Sequence, residues 1–372
     1  MLTGEIHLGP DFVSQIQLIW PTILMIVIGL ALIYLAINKG MEPLLLIPIG
    51  TGIILANLFD GLVTEGGLFY LFKKVGMETK AFPLLMFLGL GALTDFSSLL
   101  QRPYVALLGA AAQIGIFGTL IGAAMLGFDT TTAAGIAIIG GADGPTAIYV
   151  STILAPENLW GPIAVSAYSY MAMVPIIQPP IMRLLTSEGE RRVRMSQLAP
   201  IRREIRIMFP ILTTLLIGLI APQAVPLIGM MMFGNLLRES GVTERLAASA
   251  QNEMINIVTI LLGLTVGSTM TGDSFIEIET LKVFVLGLFA FIIATVGGVL
   301  FGKIIYVVSG KTVNPLLGAA GVSAVPMSAR AVHKVAQETD PDNFLVMHAM
   351  GPNVAGVIGS AVAAGVLLSL LS

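Results

Sequence analysis

The segment Gly140-Gly-Ala-Asp-Gly-Pro-Thr146 interrupts an apolar stretch that runs from Thr132 to Leu154. In hydrocarbon each unpaired backbone amide or carbonyl costs several kcal/mol, so irregular backbone survives at membrane depth only where protein or a water cavity surrounds it. Pro145 cannot donate to a helix and clashes with the preceding turn, while Gly140, Gly141 and Gly144 permit backbone angles that other residues avoid. Asp143 stands among them, and a carboxylate at the centre of a membrane costs about 2.5–3.5 kcal/mol on insertion scales. Transporters build cation sites in this way, from unwound carbonyls and an anionic side chain at a broken helix. The competing reading is a glycine-rich surface loop with a solvated Asp143; apolar sequence on both sides of the break argues against it.

Composition sets the medium. The 372 residues are 56% hydrophobic and 11% charged, against about 25% charged in soluble domains, so the chain is read as an all-α polytopic membrane protein. With no Cys and 3 His, thiolate metal sites, iron–sulfur clusters, disulfides and cysteine nucleophiles are excluded. No basic patch with interleaved aromatics suggests nucleic acid. Glu5 and Asp11 stand where a signal peptide would carry basic residues, so none is expected. No polar stretch is long enough for a separate catalytic domain.

Apolar spans predict about ten transmembrane helices: Trp20–Asn38, Leu44–Leu58, Ala81–Leu100, Tyr104–Leu126, Trp160–Met182, Ile207–Ala221, Pro226–Leu237, Met254–Met270, Val283–Val308 and Phe344–Leu371. Two further elements, Thr130–Leu154 and Val313–Ala329, are broken and read as re-entrant hairpins. Leu88-Gly-Leu-Gly91 returns as Leu262-Gly-Leu-Thr265, and Gly141-Ala-Asp-Gly-Pro145 returns loosely as Gly321-Val-Ser-Ala-Val-Pro326, with Ser323 where Asp143 stands. The chain therefore divides into an N-terminal segment (1–19), a first membrane repeat (20–182), a basic linker (183–206) and a second repeat (207–371). About five crossings per repeat, an odd number, make the second copy inverted, with a site expected between the two. Chance likeness among glycine-rich apolar sequences is the alternative. The linker, carrying Arg183, Arg191, Arg192, Arg194, Arg202, Arg203 and Arg206, is expected on the cytoplasmic side. The loop Phe59–Lys80, with three lysines expected outside, runs against that rule.

Polar groups inside the spans are the candidate site. Asn314 precedes Pro315, which pushes its backbone away from helix and is expected to leave its carbonyl free. Asn314, Ser323 and Asn353 offer neutral oxygens and Asp143 a charged one, a set suited to a hard monovalent cation such as Na⁺. The ordinary alternative for each asparagine is an interhelical hydrogen bond. Tyr168 and Tyr170 lie mid-span, two apart and so on different faces, so one of them is expected to face the site. Arg330 closes the second broken element on the cytoplasmic side. Asp95 reads as interfacial, Gly310-Lys-Thr312 lacks the first glycine of a nucleotide loop, and His333 and His348 read as packing groups.

Gly140–Ala147, Ala167-Tyr-Ser-Tyr-Met-Ala172 with Pro175–Pro180, Asn314–Gly318 with Gly321–Pro326, and Gly351-Pro-Asn353 occur in that order. Together they resemble the β subunit of the biotin-dependent, sodium-pumping decarboxylases, a family acting on oxaloacetate, methylmalonyl-CoA or glutaconyl-CoA. The resemblance implies a multi-pass subunit in a bacterial cytoplasmic membrane that decarboxylates carboxybiotin, consumes a proton and exports Na⁺. It implies Na⁺ and partner-borne biotin as cofactors. The partners implied are a carboxyltransferase α subunit, a biotin carrier protein, a small membrane γ or δ subunit, and further copies of this chain. It implies that Asp143 binds Na⁺ and takes part in proton exchange, with Asn314, Asn353, Ser323 and Tyr168 or Tyr170 as further ligands. Spacing does not decide between the two tyrosines; Tyr170 is preferred and is also expected to act in catalysis, and Ser323 in holding carboxybiotin. It implies that Arg330 holds the carboxybiotin carboxylate. The length is nearer that of the acyl-CoA members. The residues alone leave a second reading open, a stand-alone Na⁺-coupled carrier or Na⁺/H⁺ antiporter. Exporting one charge against the membrane potential costs about 2.3 kcal/mol per 100 mV, so the energy must come from a delivered group or a counter-gradient.

Overall fold

The computed structural model describes residues 12–196, 199–275, 277–322 and 326–371, and among these there is no strand. Ser323 lies outside the described residues. The first half runs α1 (Phe12–Lys39), α2 (Pro43–Leu58), α3 (Leu68–Phe72), α4 (Ala81–Leu93), α5 (Ser97–Gln101), α6 (Ala106–Ala112), α7 (Ile114–Met125), α8 (Thr130–Ala137), α9 (Gly144–Leu154), α10 (Glu157–Ala172) and α11 (Val174–Leu185). A short α12 (Glu188–Arg191) lies in the linker. The second half runs α13 (Arg203–Ile220), α14 (Val225–Glu239), α15 (Glu244–Ser249), α16 (Ile255–Ser268), α17 (Gly272–Phe275), α18 (Ile278–Val308), α19 (Met327–Thr339) and α20 (Val346–Leu371).

Among the described residues four stretches are long and apolar enough to cross a bilayer: Ile19–Lys39, Pro103–Met125, Ile278–Val308 and Val346–Leu371. The pair α10–α11, bent by 60°, makes a fifth if taken as one span. Pro175 opens α11 within its first two positions, where it removes a hydrogen bond to the turn before, which accounts for the bend. The expected span Ala81–Leu100 divides at Thr94–Phe96, where the Asp95 carboxylate accepts from the Ser97 amide at 2.8 Å and starts a new short helix. Apolar side chains point outward along the periphery: Ile23, Val27, Leu30 and Tyr34 on α1, and Leu215, Leu216, Leu219 and Ile220 on α13, are all exposed. That is the polarity of a protein whose solvent is lipid.

Two seams hold the halves together. α2 packs on α16, and α14 packs on α4. A methyl group on Gly52 would fall 2.3 Å from the Leu264 carbonyl oxygen, and one on Gly267 would fall 2.1 Å from that of Ile49. In the other seam the distances are 1.8 Å from Gly91 to the Met231 oxygen and 2.0 Å from Gly234 to that of Leu88. Glycine at these four positions lets the backbones touch, the usual device of helix packing in lipid.

Both broken elements are seated on glycines of the long helices. The stretch Ile138–Gly141 of the first lies against α7, where a methyl on Gly140 would meet the Gly115 carbonyl at 2.3 Å. The stretch Pro315–Val322 of the second lies against α18, where a methyl on Gly298 would meet the Gly318 oxygen at 2.2 Å. α20 runs past both.

Candidate functional site

The first break is built by backbone chemistry at four consecutive residues. Ala142 takes the left-handed conformation (φ 53°, ψ 38°) and Asp143 an extended one, so that Gly144-Pro145 can start α9. A left-handed alanine is a sparsely populated state that persists only where its surroundings enforce it, often at ligand sites. Gly144 is obligatory for a different reason: the ring of Tyr168 lies on it, and a methyl there would come within 2.1 Å of Cε1.

Asp143 is 1% exposed and caps α9. Its Oδ1 accepts weakly from the Thr146 amide at 3.4 Å, while Oδ2 accepts from the hydroxyls of Thr146 at 2.6 Å and of Ser360 at 2.7 Å. Among the described residues none of its partners is a base. A carboxylate removed from water without a cation beside it is very costly and must be neutralised; a proton or a small cation can do so here. Among the described residues no cluster of three or more His, Asp or Glu could hold a multivalent metal. The set of one carboxylate and several hydroxyl or amide oxygens therefore suits a monovalent cation.

Among the described residues, two buried oxygens beside the break have no partner. The Tyr168 hydroxyl is one; its ring is against Gly144, and the phenol lies within electrostatic range of the Asp143 and Glu42 carboxyls. The other is Oε1 of Gln113, whose Nε2 donates to the Gly109 and Gly356 carbonyls at 3.1 Å each, and which sits 3.5 Å from where a methyl on Gly141 would be. Of the two tyrosines, then, it is Tyr168 rather than the preferred Tyr170 whose ring touches the break. Tyr170 is half-buried and donates to the Phe284 carbonyl at 2.6 Å.

Asn353 is 2% exposed, on the same helix as Ser360 and two turns before it, and its amide donates to the Ala320 carbonyl of the second broken element at 3.0 Å. Gln178 reaches the neighbouring Ala319 carbonyl at 3.2 Å. Asn314 is placed differently. Its amide donates to the carbonyls of Arg191 and Val193 at 3.0 and 2.9 Å, and Asn343 donates to the same two oxygens. The Asn314 carbonyl, expected to be free, accepts from the Leu317 amide at 3.2 Å because Pro315 opens a short 3₁₀ turn. The described contacts thus join Asp143 to Thr146 and Ser360, set the Tyr168 ring on the adjacent Gly144, tie Asn353 to the second break, and commit Asn314 to the linker.

Two cavities lead inward from the linker side. The outer, of about 680 Å³, is lined by Arg330, Ser98, Gln101, Met347, Met350 and part of the linker. The inner, of about 330 Å³, shares Asp95, Pro326 and Met350 with it and ends at Asn353, Val354 and Val357. Asp95 is exposed at the junction, 3.9 Å from Arg238. Arg330 is exposed and in no ion pair among the described residues. Its charge acts on Glu42, in the α1–α2 turn, whose carboxyl is raised above its usual 4.5 by burial and held back by Arg330. Glu42 has a left-handed backbone (φ 39°).

Sequence reasoning missed Ser360, Gln113, Thr146 and Glu42. Ser360 could have been found two helical turns beyond Asn353 on the same face, and Gln113 as a lone amide in an apolar span.

A family model for the Na⁺-transporting oxaloacetate decarboxylase β subunit matches residues 21–371. The methylmalonyl-CoA decarboxylase β subunit of Veillonella parvula is 54% identical over 349 residues, covering 94% of this chain and 93% of that one. The glutaconyl-CoA decarboxylase β subunit of Acidaminococcus fermentans is 52% identical, covering 95% and 94%. The probable oxaloacetate decarboxylase β chain of Vibrio cholerae is 49% identical over 412 aligned positions, covering 94% and 95%, so the alignment is longer than this 372-residue chain and carries insertions in the relative. With one family model spanning nearly all of it and relatives matched end to end, the chain belongs to the β subunits of the Na⁺-transporting decarboxylases.

Proposed function

We propose that the chain, as the membrane subunit of a sodium-pumping decarboxylase complex, decarboxylates carboxybiotin and couples that step to Na⁺ export. The observation that carries this reading is the buried Asp143 carboxylate at a helix break, ringed by hydroxyls and without a base among the described residues. It can hold either a proton or Na⁺, and exchanging one for the other is the coupling step. Na⁺ arriving from the linker side displaces the proton, which passes to carboxybiotin held at Arg330 in the outer cavity. A guanidinium there can take the carboxylate by a two-point contact. Asp143, Tyr168, Ser360, Gln113 and Asn353 are the oxygen donors proposed for Na⁺; Ser323 and Tyr170 remain proposed from the family resemblance, and Asn314 from its place in the second broken element. Glu42, between Arg330 and the Tyr168 phenol in electrostatic range, is proposed to position the arginine.

Inverted repeats are supported by the exchange of partners across the seams. α2 meets α16 and α14 meets α4, the pattern a two-fold axis produces when α2 corresponds to α14 and α4 to α16. The proposed partners are a carboxyltransferase α subunit, a biotin carrier protein, a small γ or δ subunit and further copies of this chain, in a bacterial cytoplasmic membrane. The test is CO₂ release from carboxybiotin by the intact complex at varied Na⁺. Asp143→Asn is expected to abolish both CO₂ release and Na⁺ uptake into vesicles. Na⁺-stimulated release surviving in that variant overturns the coupling role.

A further inference from the structure

The outer cavity presents more than an arginine. α5 is a short helix that follows the turn in which the Ser97 amide donates to Asp95, and it brings Ser98 and Gln101 to the cavity wall, three residues apart and so on one face. Ser98 Oγ and Gln101 Oε1 are both shielded from solvent and have no hydrogen-bond partner among the described residues. Ser98 is only 9% exposed. Buried oxygens left unpaired are uncommon and costly, and each one asks for an explanation. Much of the rest of the wall is apolar, from Pro200, Met347 and Met350, and Arg330 supplies the cation; the Asp95 carboxylate on the same wall is engaged by the Ser97 amide at 2.8 Å and lies 3.9 Å from Arg238.

That combination describes a ligand with one anionic group, one N–H donor and one carbonyl acceptor on an apolar bicycle. An N-carboxylated cyclic urea fused to a thioether ring has those groups in that arrangement. We infer that Ser98 and Gln101 form the ureido-recognition pair of the carboxybiotin pocket, a reading that rests on the function proposed above. With the carboxylate on Arg330, Oε1 of Gln101 accepts from the N–H of the uncarboxylated ureido nitrogen, and the Ser98 hydroxyl donates to the ureido carbonyl. The methionine side chains cover the thioether ring with polarizable, adaptable surface.

The hydroxyl of Ser98 has a second task. Decarboxylation breaks the N–C bond; its electron pair stays on nitrogen and is delocalised onto the ureido oxygen, CO₂ leaves, and the nitrogen then takes up the proton the cycle consumes. A hydrogen bond aimed at the oxygen on which charge develops stabilises the transition state more than the ground state. Gln101, facing an N–H that does not change, binds both states alike. The two residues therefore separate kinetically: Ser98 acts in turnover and Gln101 in binding.

The experiment uses the intact complex with synthetic N-carboxybiotin as the probe. Ser98→Ala is expected to lower kcat about 10- to 100-fold with little change in KM. Gln101→Leu is expected to raise KM about 10-fold at nearly constant kcat. Neither is expected to alter the Na⁺ concentration for half-maximal stimulation, and both should melt at or above the parental temperature, because each removes an unpaired buried oxygen. Unchanged kcat and KM in both variants, or a drop in melting temperature that accounts for the loss, overturns the inference. Arg330→Ala keeps the two failures apart. If Arg330→Ala is inactive while the Ser98 and Gln101 variants are normal, only the ureido pair falls. If Arg330→Ala turns over carboxybiotin as the parent does, the pocket assignment itself falls.

Discussion

Replacing Gly144 by alanine tests the packing that holds Asp143 in place. A methyl group there would sit 2.1 Å from Cε1, 2.3 Å from Cζ and 2.7 Å from Cδ1 of Tyr168. Carbon atoms in contact prefer about 3.5–4.0 Å, so the ring and the first turn of α9 must part by roughly 1.5 Å. Tyr168 is 1% exposed and has no open side to move into. Overpacking of this kind costs about 1–3 kcal/mol. Gly144 is covalently next to Asp143, so whatever the turn yields shifts the carboxylate away from Ser360. If the strain falls on the Na⁺-bound state, the Na⁺ concentration for half-maximal CO₂ release rises ~5- to ~140-fold, at tenfold per 1.4 kcal/mol. The assay is Na⁺-dependent CO₂ release by the intact complex, read beside its melting temperature in detergent. Adding Tyr168→Leu, which shortens the obstructing side chain, should recover most of the lost melting temperature. A Gly144→Ala protein with parental Na⁺ activation and parental melting temperature would refute the contact and the argument built on it.

Tyr170→Phe should cost about 0.5–1.5 kcal/mol of stability by removing the hydrogen bond its hydroxyl gives the Phe284 carbonyl and should shift Na⁺ activation less than Tyr168→Phe, which should leave stability nearly unchanged; thermal melts and Na⁺ titrations of both separate them. Asn314→Ala and Asn343→Ala each remove one of the two amides that hold the Arg191 and Val193 carbonyls, so limited proteolysis should cut the linker faster in each and fastest in the double variant. An effect on Na⁺ activation confined to Asn314→Ala would show that this residue serves the ion as well as the linker. Glu42 sets a pH effect whose sign follows from its raised carboxyl. Below 4.5 the group is protonated folded or unfolded and the stability is fully present; it is lost as pH rises through the higher folded-state value. Glu42→Gln should therefore melt higher than the parent above that range and equally below it, as melts across pH would show.

The break at Asp143 was legible because its signals are local. Three glycines and a proline inside an apolar run leave few alternatives, and a buried acid cannot be disguised. The short α5 was not legible, since Ala81–Leu100 reads as one apolar span and only the hydrogen bond of Asp95 to Ser97 divides it. Asn314 shows the opposite limit. Its proline neighbour announced irregular backbone, yet the hydrogen bonds of its amide go to Arg191 and Val193, more than a hundred residues back in the sequence, which no spacing encodes. Tyr168 and Tyr170 were rightly placed on different faces, but which face meets Gly144 depends on how α10 is rotated against α9.

The four glycines at Gly52, Gly267, Gly91 and Gly234 bear on how such a molecule can move. Backbone set against a carbonyl oxygen at these distances behaves like a keyed joint: sliding by even part of a turn would drive the next side chain into the groove. Each joined pair, α2 with α16 and α4 with α14, is therefore obliged to travel as one strut. α20 is keyed in the same manner to the second broken element, where a methyl on Gly356 would fall 2.1 Å from the Gly321 oxygen, so Ser360 belongs with that element rather than with either strut.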